Sequence, residues 1–302
     1  MNLRWVFLGS AGIRAGWSIA IFAAIVALEV FTLNSAARAL HLHRLTGQGE
    51  IPPLVTLAFE AVFIVTVAIP TFVMSRIEGR SFLAYGYSGP RRLSRFLWGL
   101  LSGVVALSAL VGVLALAHLI VFDKPNLSGP SILGYGLAWL IGFTFVGIAE
   151  ESWTRGYLLF TLTRGLNFFW ASIILSIAFG AIHSSNPGES PLGLVGAAVI
   201  GLVFCFSIWL TGSLYWAIGI HAAWDWAQSY LFGVADSGLR MRGHFLESHS
   251  AGTTWLSGGA TGPEGSVFCL LTMLLIALGL YLVWGRKPAL RDKGSLFAQS
   301  SS

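Results

Sequence analysis

Three short clusters place ionisable side chains inside stretches that are otherwise apolar. They are Ala149-Glu150-Glu151-Ser152-Trp153-Thr154-Arg155, Phe179-Gly180-Ala181-Ile182-His183 and His221-Ala222-Ala223-Trp224-Asp225. On a helix, Glu151 and Arg155 are i,i+4 neighbours that can pair, whereas Glu150 is turned by about 100° and points elsewhere. Phe179 and His183 share a face, as do His221 and Asp225, and small residues beside both histidines let another helix approach. Carboxylates that take a proton from water, imidazoles that bind a metal or move a proton, and a cation that holds one carboxylate in place are the parts of a hydrolytic centre. Each cluster also has a plain structural reading. The glutamates could be solvated at a helix end beside Arg155, His183 could be an interfacial group, and His221 and Asp225 could share a private hydrogen bond. Counted along their helices, Glu151, His183, His221 and Asp225 lie roughly 12–24 Å from the inner ends. Helix tilt absorbs differences of that size. Glu150, Glu151, His183, His221 and Asp225 could therefore converge in one buried polar site.

The elements that must carry these residues are membrane helices. Of 302 residues, 55% are hydrophobic and 10% charged, and the mean hydropathy is +0.75. Soluble domains carry about 25% charged residues, so a water-facing globule is excluded. Disorder and fibrous structure fail as well, because the abundant Phe, Trp and Gly are neither low-complexity nor periodic. Stretches such as Phe96–Phe122, Leu192–Trp224 and Ser266–Gly285 hold no Asp, Glu, Lys or Arg, and roughly 20 apolar residues suffice for a span. The solid runs lack the alternation of a transmembrane β-barrel. The expected fold is an all-α polytopic bundle of about eight transmembrane helices, one integral domain over 1–302. Its spans fall at roughly 16–33, 53–74, 96–121, 132–152, 167–184, 192–210, 213–231 and 266–284, with a break at Thr211-Gly212-Ser213. Inside these spans lie further ionisable residues, Glu29, Glu60 and His118, and burying one costs at least about 2.5 kcal/mol.

With the N-terminus inside, 13 of the 18 basic residues fall on inner segments, and Arg38, Arg44, Lys124, Arg240 and Arg242 fall outside. That bias predicts both termini in the cytoplasm. The net charge of +5 is then a membrane-topology signal, with no nucleic-acid partner implied. Loop 233–265, rich in Gly, Ser, Thr and His, is the sizeable outer loop. Cys205 and Cys269 have no motif spacing and read as packing residues.

Glu-Glu-x-x-x-Arg, Phe-x-x-x-His and His-x-x-x-Asp on three separate hydrophobic segments resemble the CAAX-protease and bacteriocin-processing family of intramembrane endopeptidases. The resemblance covers about residues 135–232. Ile77-Glu78-Gly79-Arg80 and Thr261-Gly262-Pro263-Glu264-Gly265 also look like bacterial members. It implies Glu150, Glu151, Arg155, His183, His221 and Asp225 as catalytic residues, a hydrophobic peptide or membrane-protein substrate, the lipid bilayer as surroundings and a bacterial cell membrane as location. Prenyl-protein endopeptidases carry Asn where this chain has Asp225, which leaves that residue as oxyanion donor or metal-directed carboxylate.

Within that resemblance Glu150 is the better base, since Arg155 can hold Glu151. His183 and His221 with Glu151 could ligate one divalent ion such as zinc. Alternatively Glu150 and His183 activate water without metal, with His221 and Asp225 serving the oxyanion. Two other classes compete: an ion- or proton-coupled transporter, which would use Glu29, Glu60 and Glu150 but predicts an internal repeat that is not visible, and a non-catalytic immunity scaffold.

Overall fold

The computed structural model describes residues 4–9, 12–39, 49–286 and 288–290. Arg44, Lys287, Arg291 and Lys293, which entered the charge count, lie outside the described residues. A short helix α1 (Arg4–Phe7) and a small ribbon of β1 (Leu8–Gly9) and β2 (Gly12–Ile13) precede α2 (Ala15–Ala39) and α3 (Pro53–Ile77). Then follow α4 (Arg92–Leu116), β3 (Ile120–Pro125), α5 (Pro130–Arg155), α6 (Tyr157–Gly165), α7 (Phe168–Ile182) and α8 (Pro191–Thr211). After α9 (Tyr215–Asp225) come a π-helical turn (Trp226–Leu231), β4 (Leu246–Ser250), α10 (Thr254–Ser257) and α11 (Val267–Trp284).

The chain is an all-α integral membrane bundle. Among the described residues seven helical stretches are long and apolar enough to cross a bilayer, and at most 44% of any is buried inside the protein. Leu101, Leu137, Ile177, Leu274 and Leu282 are more than half exposed, an outer coat suited to lipid rather than water. The eighth crossing is α9 with its π-helical turn, 11 and 6 residues long.

The helix boundaries follow local chemistry. Proline occupies the first turn of α3, α5 and α8, where its missing N–H costs nothing. Asn167 caps α7 by accepting the Trp170 N–H at 3.0 Å. Gly212, at φ 72°, ends α8 at the expected break. Two boundaries differ from the sequence reading. The fourth span does not stop near 152; it continues to Arg155, bends at Gly156 and resumes as α6. His118 is exposed beyond the end of α4, so it is no buried charge. Loop 233–265 is ordered: β4 pairs antiparallel with β3, and His244, Ser248 and Thr261 are buried.

The two ends of the bundle are tied separately. At one end Leu214 N–H donates to Gly86 O, Arg95 to Ser213, Tyr215 to Tyr87 O, and Arg164 to Glu78. At the other, Ile51 N–H donates to Arg240 O, Asn186 to Ser237 O, Gly238 N–H to Thr261 O, and Asn126 N–H to Phe245 O. We call these the arginine-rich end and the loop end.

Close helix contact sets the position of α9. A Cβ on Gly219 would lie 2.2 Å from Phe96 O, and one on Gly99 would lie 2.4 Å from Trp216 O. The missing side chains let α4 and α9 touch backbone to backbone. This fixes the face of α9 that carries His221 and Asp225 toward α5.

Candidate active site

A cavity of about 540 Å³ lies at the heart of the bundle. Glu150 of α5, His183 just past α7, and His221 and Asp225 of α9 all line it, with Phe179, Phe204 and Trp224. Four of the six sequence-derived site residues therefore share one space.

The other two lie behind it. Glu151 and Arg155 are fully buried, off the cavity wall, and joined by a 2.7 Å ion pair. The helical turn of about 100° between adjacent residues separates Glu150 from Glu151, as expected. The Arg155 guanidinium stacks 4.4 Å from the Phe179 ring centroid and 5.1 Å from that of Phe204. It thereby connects the first motif to the second through the face of an aromatic ring. Gly201 leaves room for it, since a Cβ there would come within 2.8 Å of the guanidinium.

Each histidine has one nitrogen committed. His183 Nδ1 donates to Phe179 O at 2.7 Å, closing its own turn. His221 Nδ1 donates to Glu151 Oε1 at 3.0 Å. That leaves His221 Nε2 facing the cavity side, 3.5 Å from Asp225 Oδ2 and 3.8 Å from Glu150 Oε2. Glu150 Oε2 is buried and has no hydrogen-bond partner among the described residues. A buried carboxylate oxygen left open beside a committed histidine is an arrangement that can receive a water proton.

The residues fit a metal unevenly. Both Nε2 atoms are in the state a ligand requires, since each Nδ1 is engaged elsewhere. Glu151 is a poor third ligand: Oε1 already accepts from Arg155 and His221, and the residue is off the cavity wall. Among the described residues, the group that brings three ligand atoms within 4.8 Å of one another is Asp225, Asp236 and Glu264. A hard cation could bridge those oxygens. Two of the three are already served by donors, however. Glu264 accepts from Trp224 Nε1 at 3.0 Å and from Ser237 Oγ at 2.8 Å, and Asp236 accepts from Ser229 Oγ at 2.9 Å. Burial, with the neighbouring Asp225 and Glu264 carboxylates, holds the Asp236 carboxyl well above its usual range.

Sequence reasoning missed Asp236, and it recognised Glu60 and Glu264 without placing them in the site. All three line the cavity, whereas Glu29 does not. For Glu60 the signal was its depth in an apolar span. For Asp236 and Glu264 it was weaker: they are acidic residues in a loop whose fold back over the helices could not be foreseen.

Residues 132–227 match the model of the type II CAAX prenyl endopeptidase Rce1-like family. The matched segment contains all three motifs. No curated protein matches the chain. No solved structure matches it either. Three motifs in order on α5, α7 and α9, closing on one cavity within the matched segment, make this part of the integral membrane protein similar to the CAAX-type intramembrane endopeptidases.

Proposed function

We propose that this protein hydrolyses a peptide bond of a hydrophobic, membrane-associated substrate with water activated by Glu150. The observation that carries this reading is the unpartnered, buried Glu150 Oε2 in a cavity shared with His183 and His221. Glu150 takes the proton of the attacking water, and His183 Nε2 helps orient that water. His221, when it carries both ring protons, donates Nδ1–H to Glu151 and Nε2–H toward the developing oxyanion. Asp225, 3.5 Å from that Nε2, supports the charged form of the ring and positions it. Glu150 then returns its proton to the departing amine, as reversibility of the acid–base pair requires.

The uneven fit of the metal ligands favours this route over one through a metal bound by His183, His221 and Glu151. Such an ion, held at the two Nε2 atoms, would supply Lewis-acid polarisation of the scissile carbonyl. The transporter reading is disfavoured because, among the described residues, the cavity has no lining from the arginine-rich end.

The test compares membrane proteins of cells making the wild-type chain with those of cells making Glu150→Gln. New peptide ends should appear with the wild type and be absent with the variant at equal protein level. Identical sets of ends in both would reject Glu150 as the base.

A further inference from the structure

We infer that the cavity is loaded from the non-cytoplasmic side, so that its substrate is a peptide segment exposed on that side of a membrane-anchored or exported polypeptide. This rests on the endopeptidase reading and names the class of substrate for it.

Two independent features meet here. The first is where the cavity opens. Its lining on α3 comes from Val55, Thr56, Phe59 and Glu60, in the first turns of a helix that runs on to Ile77. Its lining outside the helices comes from Glu50, Asn186, Ser237, Arg242 and Glu264, all on segments of the loop end. Toward the arginine-rich end the space is closed by the buried Glu151–Arg155 pair and by a packed cluster including Tyr85, Tyr157, Phe160 and Leu214. A peptide can therefore enter from the loop end and cannot pass through.

The second feature is the distribution of positive charge. Among the described residues Arg14, Arg76, Arg80, Arg91, Arg92, Arg95, Arg164 and Arg286 belong to the arginine-rich end, against Arg38, Lys124, Arg240 and Arg242 at the loop end. Lys and Arg near span ends are retained on the cytoplasmic side. The mouth and the cytoplasm thus lie on opposite faces. A cytoplasmic C-terminal tail, prenylated or otherwise, would meet the closed face. A segment displayed across the membrane would meet the open one.

The test reads sidedness without requiring cleavage. Cys205 and Cys269 are buried, so single cysteines can be added to the full chain. Thr56→Cys lies on the cavity wall, Thr253→Cys on the exposed loop end and Ser94→Cys on the exposed arginine-rich end. A membrane-impermeant maleimide applied to intact cells should label the first two and leave Ser94→Cys unlabelled until the cells are opened, with each variant checked for folding by its melting curve. Labelling of Ser94→Cys alone in intact cells overturns the inference and leaves the endopeptidase reading intact. Labelling of all three, or of neither loop-end position, overturns it as well. In the comparison of wild type with Glu150→Gln, the Glu150-dependent peptide ends should map to non-cytoplasmic segments; ends confined to cytoplasmic tails would overturn it by a second route.

Discussion

Glu151 holds His221: one carboxylate oxygen accepts the imidazole Nδ1–H at 3.0 Å while also accepting the Arg155 guanidinium at 2.7 Å. Adjacent glutamates thus have separate tasks. Glu151 faces inward as an anchor for α9, and Glu150 faces the cavity with an oxygen to spare.

Glu150→Gln should lower the cleavage rate by about 10²–10⁴-fold, the range typical of a lost acid–base group. The amide keeps the carboxylate's shape, and Glu150 supports no neighbour closely, its nearest ionic contact being 3.8 Å away. Melting in detergent should therefore match the wild type. Full cleavage by the variant would remove Glu150 from the mechanism.

Glu151→Gln should act first on the fold. It leaves the fully buried Arg155 without its counter-charge, and breaking a buried pair in this way costs about 3–5 kcal/mol. The expected result is a lower melting temperature together with weak activity, because His221 loses the acceptor that orients its ring. If Glu150→Gln proves the less stable variant, the two roles have been exchanged.

Chelation separates the two hydrolytic routes. Dialysis of the purified protein against EDTA should leave cleavage in place, since Glu151 is committed to Arg155 and His221. Loss of activity restored by zinc would instead assign a metal to His183 and His221.

The arginine-rich end should show a defined acid sensitivity. Glu78 accepts from Arg164 at 2.7 Å, Tyr157 at 2.9 Å and Tyr85 at 3.1 Å. Burial alone would raise its pKa, but the Ser18 hydroxyl, the Arg164 charge and the hydrogen bonds from Tyr157 and Arg164 outweigh it and hold the carboxyl below its usual value. A lowered pKa means that Glu78 stabilises the fold above the unfolded value of 4.5 and loses that contribution as pH falls through the folded value. Glu78→Gln should cost about 2 kcal/mol at neutral pH, in line with hydrogen bonds to a charged group. The gap in melting temperature between variant and wild type should close in acid. A gap independent of pH would mean that the charge of Glu78 contributes nothing.

The sequence by itself determined the membrane class, most helix limits and the three motifs, because these depend on local terms: the length of apolar runs, proline and glycine at helix ends, and the 100° step that divides Glu150 from Glu151. It also placed Arg155 beside Glu151, an i,i+4 relation that needs no tertiary knowledge. Only the tertiary structure decided that Glu151 lies behind His221 rather than in the cavity, since that depends on the rotation of α5 against α9. The rotation is set by the contact of Gly219 with Phe96 and Gly99. Asp236 and Glu264 reach the site by the return of a loop whose β4 pairs with β3 across more than a hundred residues. Such pairing leaves no periodic trace in the chain, because its partners are chosen by packing and not by spacing.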